Sequence, residues 1–199
     1  MNLPPKRFRL LLVSVVVLTS VAAASAQSYV FQLDPRQSQV AFILGDVLHT
    51  VHGTFQVKSG NVQFDTSNGT ASGLLVVDAT TGDSGSKARD KKMHREILES
   101  AKYPEITFAP QHVRGQLLPE CKSQITIDGV MTLHGQSHQI SITAPVEVHA
   151  GQATANLTFV VPYVQWGLKN PSTFILRVND KVDINVRAVG RIEPGSPSP

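Results

Sequence analysis

The sequence has 199 residues, of which 41% are hydrophobic and 17% are charged, which suits one globular domain rather than two. Its net charge of +3 comes from Lys6, Arg7 and Arg9, because no acidic residue precedes Asp34 and the remaining basic and acidic side chains are equal in number. A nucleic-acid partner, which needs a basic face for phosphate contacts, is therefore not predicted.

Residues 1–26 are predicted to be a cleaved secretory signal peptide. The basic start is followed by an apolar stretch at 10–21, which is shorter than the about 20 residues of a membrane-spanning helix. Ala24-Ser25-Ala26 then has the small-x-small pattern of a cleavage site. We expect cleavage after Ala26 and a periplasmic or secreted mature protein; an uncleaved anchor is the alternative.

From Gln27 onward, apolar and polar residues alternate with period two, which predicts strands with one buried and one solvent face. Many short strands linked by tight turns favour antiparallel pairing, so we expect an all-β fold of about eight strands, either a closed barrel or a sandwich. The alternation recurs, in chain order, at 40–44, 51–57, 62–64, 125–133, 139–143, 152–161 and 182–188, and turn signals stand at Ser59-Gly60, 67–69, Ala150-Gly151 and Asn179-Asp180.

One segment, 86–100, has helical rather than strand spacing. Met93 and Ile97 lie on its apolar stripe, Ser86 is suited to the N-cap, and Pro104 prevents the helix from continuing. A single amphipathic helix in an all-β chain must cover apolar surface, so we expect it near the mouth of the barrel.

Two histidine pairs raise the question of a metal site. His49 and His52 would point to opposite faces of a strand. His134 and His138 flank Gly135-Gln136, which we interpret as a two-residue hairpin loop, so these imidazoles would also diverge. Neither pair has a nearby acid or thiol to complete a zinc site, and no metal site is predicted.

Catalytic signals are equally sparse. The sequence has no Gly-x-Ser-x-Gly elbow and no recognisable Cys–His spacing. The alternative of an enzyme acting on a hydrophobic substrate rests on Arg89, Asp90 and His94 in the helical segment. An acid near a helix N-terminus also has a purely electrostatic explanation.

A barrel of this size is either filled by its own side chains or hollow enough for one small ligand. Small residues at inward-facing positions, such as Gly53, Gly129 and Ala155, favour a hollow barrel, and Met93 suits an irregular ligand surface. The alternative hypothesis is a filled barrel that acts as a stress-related interaction module, because filled barrels also contain both small and large inward-facing residues.

Four stretches recur in a characteristic order and spacing: YVFQLD at 29–34, RDKKMH at 89–94, YPEITF at 103–108 and GVMTLHG at 129–135. Together they resemble the YceI-like proteins, a family that binds polyisoprenoid lipids. The likeness runs from 29 to 192.

The resemblance implies a lipocalin-like antiparallel barrel at 27–193, followed by a disordered tail at 194–199. It implies an exported carrier that holds a polyisoprenoid or isoprenoid-quinone chain, with no catalytic residue and no cofactor. Expected partners are an apolar isoprenoid-type lipid and, transiently, a membrane; a homodimer is left open. The expected ligand-binding residues are inward-facing or, for Trp166, at the entrance beside Tyr163: Phe42, Phe55, Val57, Leu75, Met93, Ile97, Phe108, Met131, Phe159 and Trp166.

Overall fold

The alternating segments form antiparallel strands in a computed structural model, which describes residues 28–45, 50–118, 120–174 and 177–195. The predicted signal peptide, His49 and residues 196–199 lie outside these ranges. Within them the strands are β1 (Ser28–Leu33), β2 (Gln39–Gly45), β3 (Thr50–Asp65), β4 (Ala71–Asp83), β5 (Glu105–Arg114), β6 (Lys122–Leu133), β7 (Gln136–His149), β8 (Gln152–Val161) and β9 (Val182–Pro194).

The strands close into an eight-stranded barrel, as predicted. From β2 to β9 each strand pairs with the next, and β9 pairs back with β2. The additional strand, β1, lies end to end with β2, because both pair with β3 on one side and β9 on the other. The ladder between β7 and β8 is short, because these strands pair only at 146–149 and 152–155, and the earlier part of β7 is not paired with β8.

The predicted helix is present but shorter than 86–100. It consists of α1 (Lys87–Lys92), which continues into a π-helical segment (Met93–Ile97). Ser86 occupies the N-cap through its backbone, since its carbonyl oxygen accepts from the Asp90 amide at 2.8 Å. Among the described residues, no helix is long and apolar enough to cross a membrane.

Two predicted turns differ from the structure. Ser59 and Gly60 lie inside β3, where the register shifts in the pairing with β4, so this is an irregularity of one long strand and not a hairpin. A Cβ on Gly60 would lie 2.4 Å from Leu75, so a glycine is needed for this close packing. Ala150-Gly151 is a hairpin turn, as predicted.

The second difference concerns the β6–β7 hairpin. Its loop is His134-Gly135 rather than Gly135-Gln136, and both loop residues have positive φ, 53° and 73°, as a type I′ turn requires. The one-residue shift pairs His138 with Met131. His138 therefore faces the barrel interior.

The far end of the barrel, near the β7–β8 turn, is filled by side chains. Val146, Val148 and Ala153 form a buried cluster there, with Phe31 and Ile125 packed against it. The strand β9 runs one residue beyond the predicted end of the barrel, to Pro194, which pairs with Tyr29. The apolar cavity of the barrel lies toward the opposite end, which carries the helix.

Candidate functional site

A cavity of about 330 Å³ occupies the end of the barrel that carries the helix. Its size falls within the range of about 300–1,000 Å³ that is typical of small-molecule sites. The barrel is thus hollow in this half, in contrast to its filled far end. The wall is formed by inward-facing residues of six strands: Phe42, Leu44, Val51, Phe55, Ile106, Met131, Leu133, Val161, Val182 and Ile184.

Glycine at position 53 makes room for the aromatic part of this wall. A Cβ there would lie 2.2 Å from the Phe42 ring and 2.6 Å from the carbonyl oxygen of Asp83. The Phe42 ring can therefore lie over Gly53 and contact Phe55, with ring centroids 5.4 Å apart. Gly53 and Phe42 are directly paired across β2 and β3.

The helical segment and the loop after β8 cover the mouth of the cavity. Met93, Ile97 and Leu98 turn their side chains toward it, which explains the apolar stripe of the sequence. From the loop, Leu168 is buried and Pro171 also lines the cavity. Helix and loop are joined because Lys92 Nζ donates to the Pro171 carbonyl oxygen at 3.1 Å.

The charged motif at the start of the helix is organised around buried Ser84 at the end of β4. Arg89 Nε donates to the Ser84 hydroxyl at 3.0 Å, and Arg89 Nη2 donates to the Ser84 carbonyl at 2.7 Å. The Asp90 carboxylate accepts from the Ser84 amide at 2.8 Å and from its hydroxyl at 2.5 Å. Burial alone would raise the pKa of Asp90, but the bonds from Ser84, with His94 and Arg89 nearby, outweigh it and lower the pKa.

His94 is held in the same way. Its Nε2 lies 2.9 Å from the Gly82 carbonyl oxygen, which can only accept, and its Nδ1 lies 3.0 Å from the Ser100 hydroxyl. Both ring nitrogens are thus engaged in joining the helical segment to β4 and to the following turn. An enzyme site made of Arg89, Asp90 and His94 would need these side chains to converge with free donor or acceptor atoms. In the structure, their hydrogen bonds engage them with other protein atoms instead.

Tyr163 brings a polar atom to the cavity lining. Its side chain is buried, and its hydroxyl donates to the Asn179 carbonyl oxygen at 2.6 Å, which ties the two ends of the loop together. Burial, and then the nearby Asp180 carboxylate, raise the pKa of Tyr163 to about 12. The phenol therefore stays neutral at physiological pH and adds no charge to the cavity.

The ten residues predicted to bind ligand separate into two groups. Phe42, Phe55, Met93, Ile97 and Met131 line the cavity. Val57, Leu75, Phe108 and Phe159 lie on inward-facing register positions but are outside the cavity lining. Trp166 is also outside the lining: its indole stacks on His138, with centroids 4.0 Å apart and an angle of 2° between the planes.

The sequence reasoning missed part of the lining. Leu44, Leu133 and Ile184 belong to the same alternation as the predicted residues, so the period-two pattern contains a signal for them. Leu168 and Val178 come from the loop after β8, where no periodic pattern exists. Among the described residues, no group of three or more His, Cys, Asp or Glu side chains lies close enough together to hold a metal ion.

Solved structures with the same fold support this architecture. The crystal structure of Burkholderia cenocepacia BcnA is similar with a TM-score of 0.64 at 17% identity, over 79% of this chain and 98% of that chain. A polyisoprenoid binding domain from Saccharophagus degradans, implicated in plant cell wall breakdown, is similar with a TM-score of 0.63 at 13% identity, over 82% and 98% of the two chains.

Curated relatives are also found by sequence. A UPF0312 protein of Vibrio cholerae is 29% identical over 139 residues, which are 68% of this chain and 71% of the relative. A UPF0312 protein of Pseudomonas putida is 25% identical over 197 residues, 92% of this chain and 97% of the relative. The model of the YceI-like domain matches residues 31–190, and the chain therefore belongs to the YceI-like family.

Proposed function

We propose that this protein binds one long apolar lipid, of the polyisoprenoid or isoprenoid-quinone class, in the cavity at the mouth of the barrel. The observation that carries the proposal is a cavity walled by apolar side chains, whose polar neighbours Arg89, Lys92 and Tyr163 are already bonded to other protein atoms. The similar Saccharophagus degradans domain, whose structure is described as polyisoprenoid binding, supports the choice of ligand class.

The energetics suit a chain without a charged anchor. Each buried methylene contributes about 0.8 kcal/mol, so one five-carbon isoprene unit contributes on the order of 3–4 kcal/mol before costs. A few units offset the roughly 4–15 kcal/mol lost in immobilising a ligand. Binding can therefore rest on the hydrocarbon alone.

We propose a carrier and not an enzyme. The three groups that an enzyme would use, Arg89, Asp90 and His94, are committed to Ser84, Gly82 and Ser100. A filled interaction module is disfavoured by the cavity itself. The protein would then take up, hold and release its lipid unchanged.

The test is extraction of the purified protein with organic solvent, followed by mass spectrometry and by titration with an added polyprenol. Met131→Trp should narrow the cavity and lower affinity, since lost contact with about two methylenes suffices for about a tenfold drop. Val130→Trp, at the neighbouring outward-facing position of β6, is the matched control and should leave binding unchanged. Absence of any apolar molecule, together with no binding of polyprenol, would refute the proposal.

Export is the second part of the proposal and rests on the sequence of residues 1–26. Expression with a C-terminal tag, cell fractionation and N-terminal sequencing should find a product that starts at Gln27 outside the cytoplasm. Ala26→Pro should block cleavage. A cytoplasmic product that retains residues 1–26 would refute export while leaving lipid binding intact.

A further inference from the structure

The outer face of the helical segment is basic. Lys87, Lys91 and Arg95 are exposed and follow one another at intervals of four residues, whereas Met93 and Ile97 face the cavity. The three cations therefore point away from the barrel, directly above its mouth. We call these three residues the basic face.

The loop that closes the mouth adds to this charge. It contributes exposed Lys169, and Arg95 first, and then Lys92 and Lys169, lower the pKa of Glu96. Of the two acids in 87–97, Asp90 is bonded to Ser84 and Glu96 pairs with Arg95. Residues 87–97 thus carry five basic and two acidic side chains, on a protein whose predicted mature chain is balanced.

The same loop presents a fully exposed aromatic ring, that of Phe174. The other exposed large apolar residues among the described positions, Leu74, Leu118 and Val160, are only about half exposed. Phe174 directly follows Thr173, which lines the cavity. An exposed apolar ring on a loop that is bonded to a basic helical segment is the pattern of a surface that lies at a lipid–water interface.

We propose that the basic face and Phe174 dock the mouth of the barrel on a membrane that contains anionic phospholipid. The cations would lie at the phosphate layer, and the Phe174 ring would enter the boundary between headgroups and acyl chains. The cavity would then open toward the bilayer, and an isoprenoid chain would pass between the two without crossing water. This transfer step, but not the docking, rests on the function proposed above.

The experiment measures partitioning onto vesicles by sedimentation. Vesicles of phosphatidylcholine and phosphatidylglycerol in equal amounts should bind the protein, and pure phosphatidylcholine vesicles should bind it much more weakly. Each basic residue near an anionic surface contributes about a fivefold factor, so K87Q/K91Q/R95Q should weaken binding about 100-fold. Raising the salt from about 0.1 M to 1 M, where the screening length falls to about 3 Å, should also release the protein.

The matched control is R36Q/K122Q/R191Q, which removes the same charge from exposed positions away from the mouth. It should bind within about threefold of the wild type. Phe174→Ser should weaken binding about tenfold, and Phe174→Trp should show a blue-shifted emission on anionic vesicles that wild-type Trp166 does not show. Equal losses in the two triple variants, at unchanged thermal stability, would mean that net charge alone drives binding and would overturn the proposal.

Lipid extraction separates this inference from the proposed function. If K87Q/K91Q/R95Q still contains isoprenoid but takes it up more slowly from donor vesicles, both proposals hold. If the wild type contains isoprenoid but does not bind anionic vesicles, only the docking proposal fails. If it binds vesicles but no isoprenoid, only the carrier proposal fails.

Discussion

The imidazole of His94 joins the π-helical segment to β4, with its Nε2 2.9 Å from the carbonyl oxygen of Gly82. Position 82 must be small for this contact, since a Cβ there would lie 2.6 Å from Phe55 and 2.7 Å from Met93. The pair thus places the helix over the cavity and sets how closely Met93 approaches the wall. His94, the side chain of the RDKKMH motif that most suggests acid–base catalysis, therefore has a positioning role.

His94→Ala should lower the free energy of unfolding by about 1–3 kcal/mol, because the Gly82 carbonyl and the Ser100 hydroxyl lose their partner in a partly buried site. Urea unfolding checks this, with His112→Ala at an exposed position of β5 as the control. Lipid content per folded molecule should also fall, because His94 holds the helical segment, and with it Met93, over the cavity without lining the cavity itself. Unchanged stability would contradict the role assigned to His94.

Asp90→Asn should destabilise the protein at pH 7 by about 1–3 kcal/mol, because an amide replaces the carboxylate that accepts two bonds from Ser84. The pKa of Asp90 is lower in the folded state than in the unfolded chain. Its contribution is therefore present above about pH 4 and is lost as the pH falls through the folded value. Unfolding at pH 7, 5 and 3 should show the gap between variant and wild type closing, and a gap independent of pH would contradict the account.

Tyr163→Phe should cost about 0.5–1.5 kcal/mol at neutral pH, since it removes the hydrogen bond to the Asn179 carbonyl. The pKa of Tyr163 is raised from 10.0 to about 12 in the folded protein. Its stabilising contribution is thus complete below pH 10 and disappears as the pH rises to about 12. Unfolding curves of wild type and variant should converge over this interval, and the increase in phenolate absorbance that Tyr163 contributes near pH 12 should be absent from the variant.

Gly53→Ala should destabilise the barrel by about 1–3 kcal/mol, because the new methyl group overlaps the Phe42 ring. The ring has to move into the cavity, so bound lipid should also decrease. Combining Phe42→Leu with Gly53→Ala should restore part of the lost stability and part of the lost lipid binding. The remaining loss is due to the overlap of the new methyl group with the Asp83 carbonyl oxygen. Thermal unfolding and lipid extraction of the single and double variants give the coupling between the two sites. Additive effects would show that the ring and the glycine do not interact.

Much of the fold follows from local patterns. The alternation through Phe42, Phe55, Met131 and Phe159 correctly indicated strands with one inward face, because side chains on a strand alternate strictly between its two sides. Turn composition was less reliable. Ser59-Gly60 has the composition of a turn, but it lies inside β3, where Leu75 packs against Gly60. Turn residues and strand irregularities share the same small, flexible amino acids.

By itself, the sequence determined the strands, their inward faces and the amphipathic helix, because each of these depends on residues that are neighbours along the chain. It also determined the family, because the family motifs occur in a fixed order and spacing. Only the tertiary structure decided which inward residues border empty space. Met131 borders the cavity while Phe159, equally inward-facing, does not, and Trp166 stacks on His138 instead. It also decided that Arg89, Asp90 and His94 are committed to structural bonds. Both outcomes depend on packing and hydrogen bonds between segments that are far apart in the sequence. The local periodicity of the sequence contains no information about such contacts.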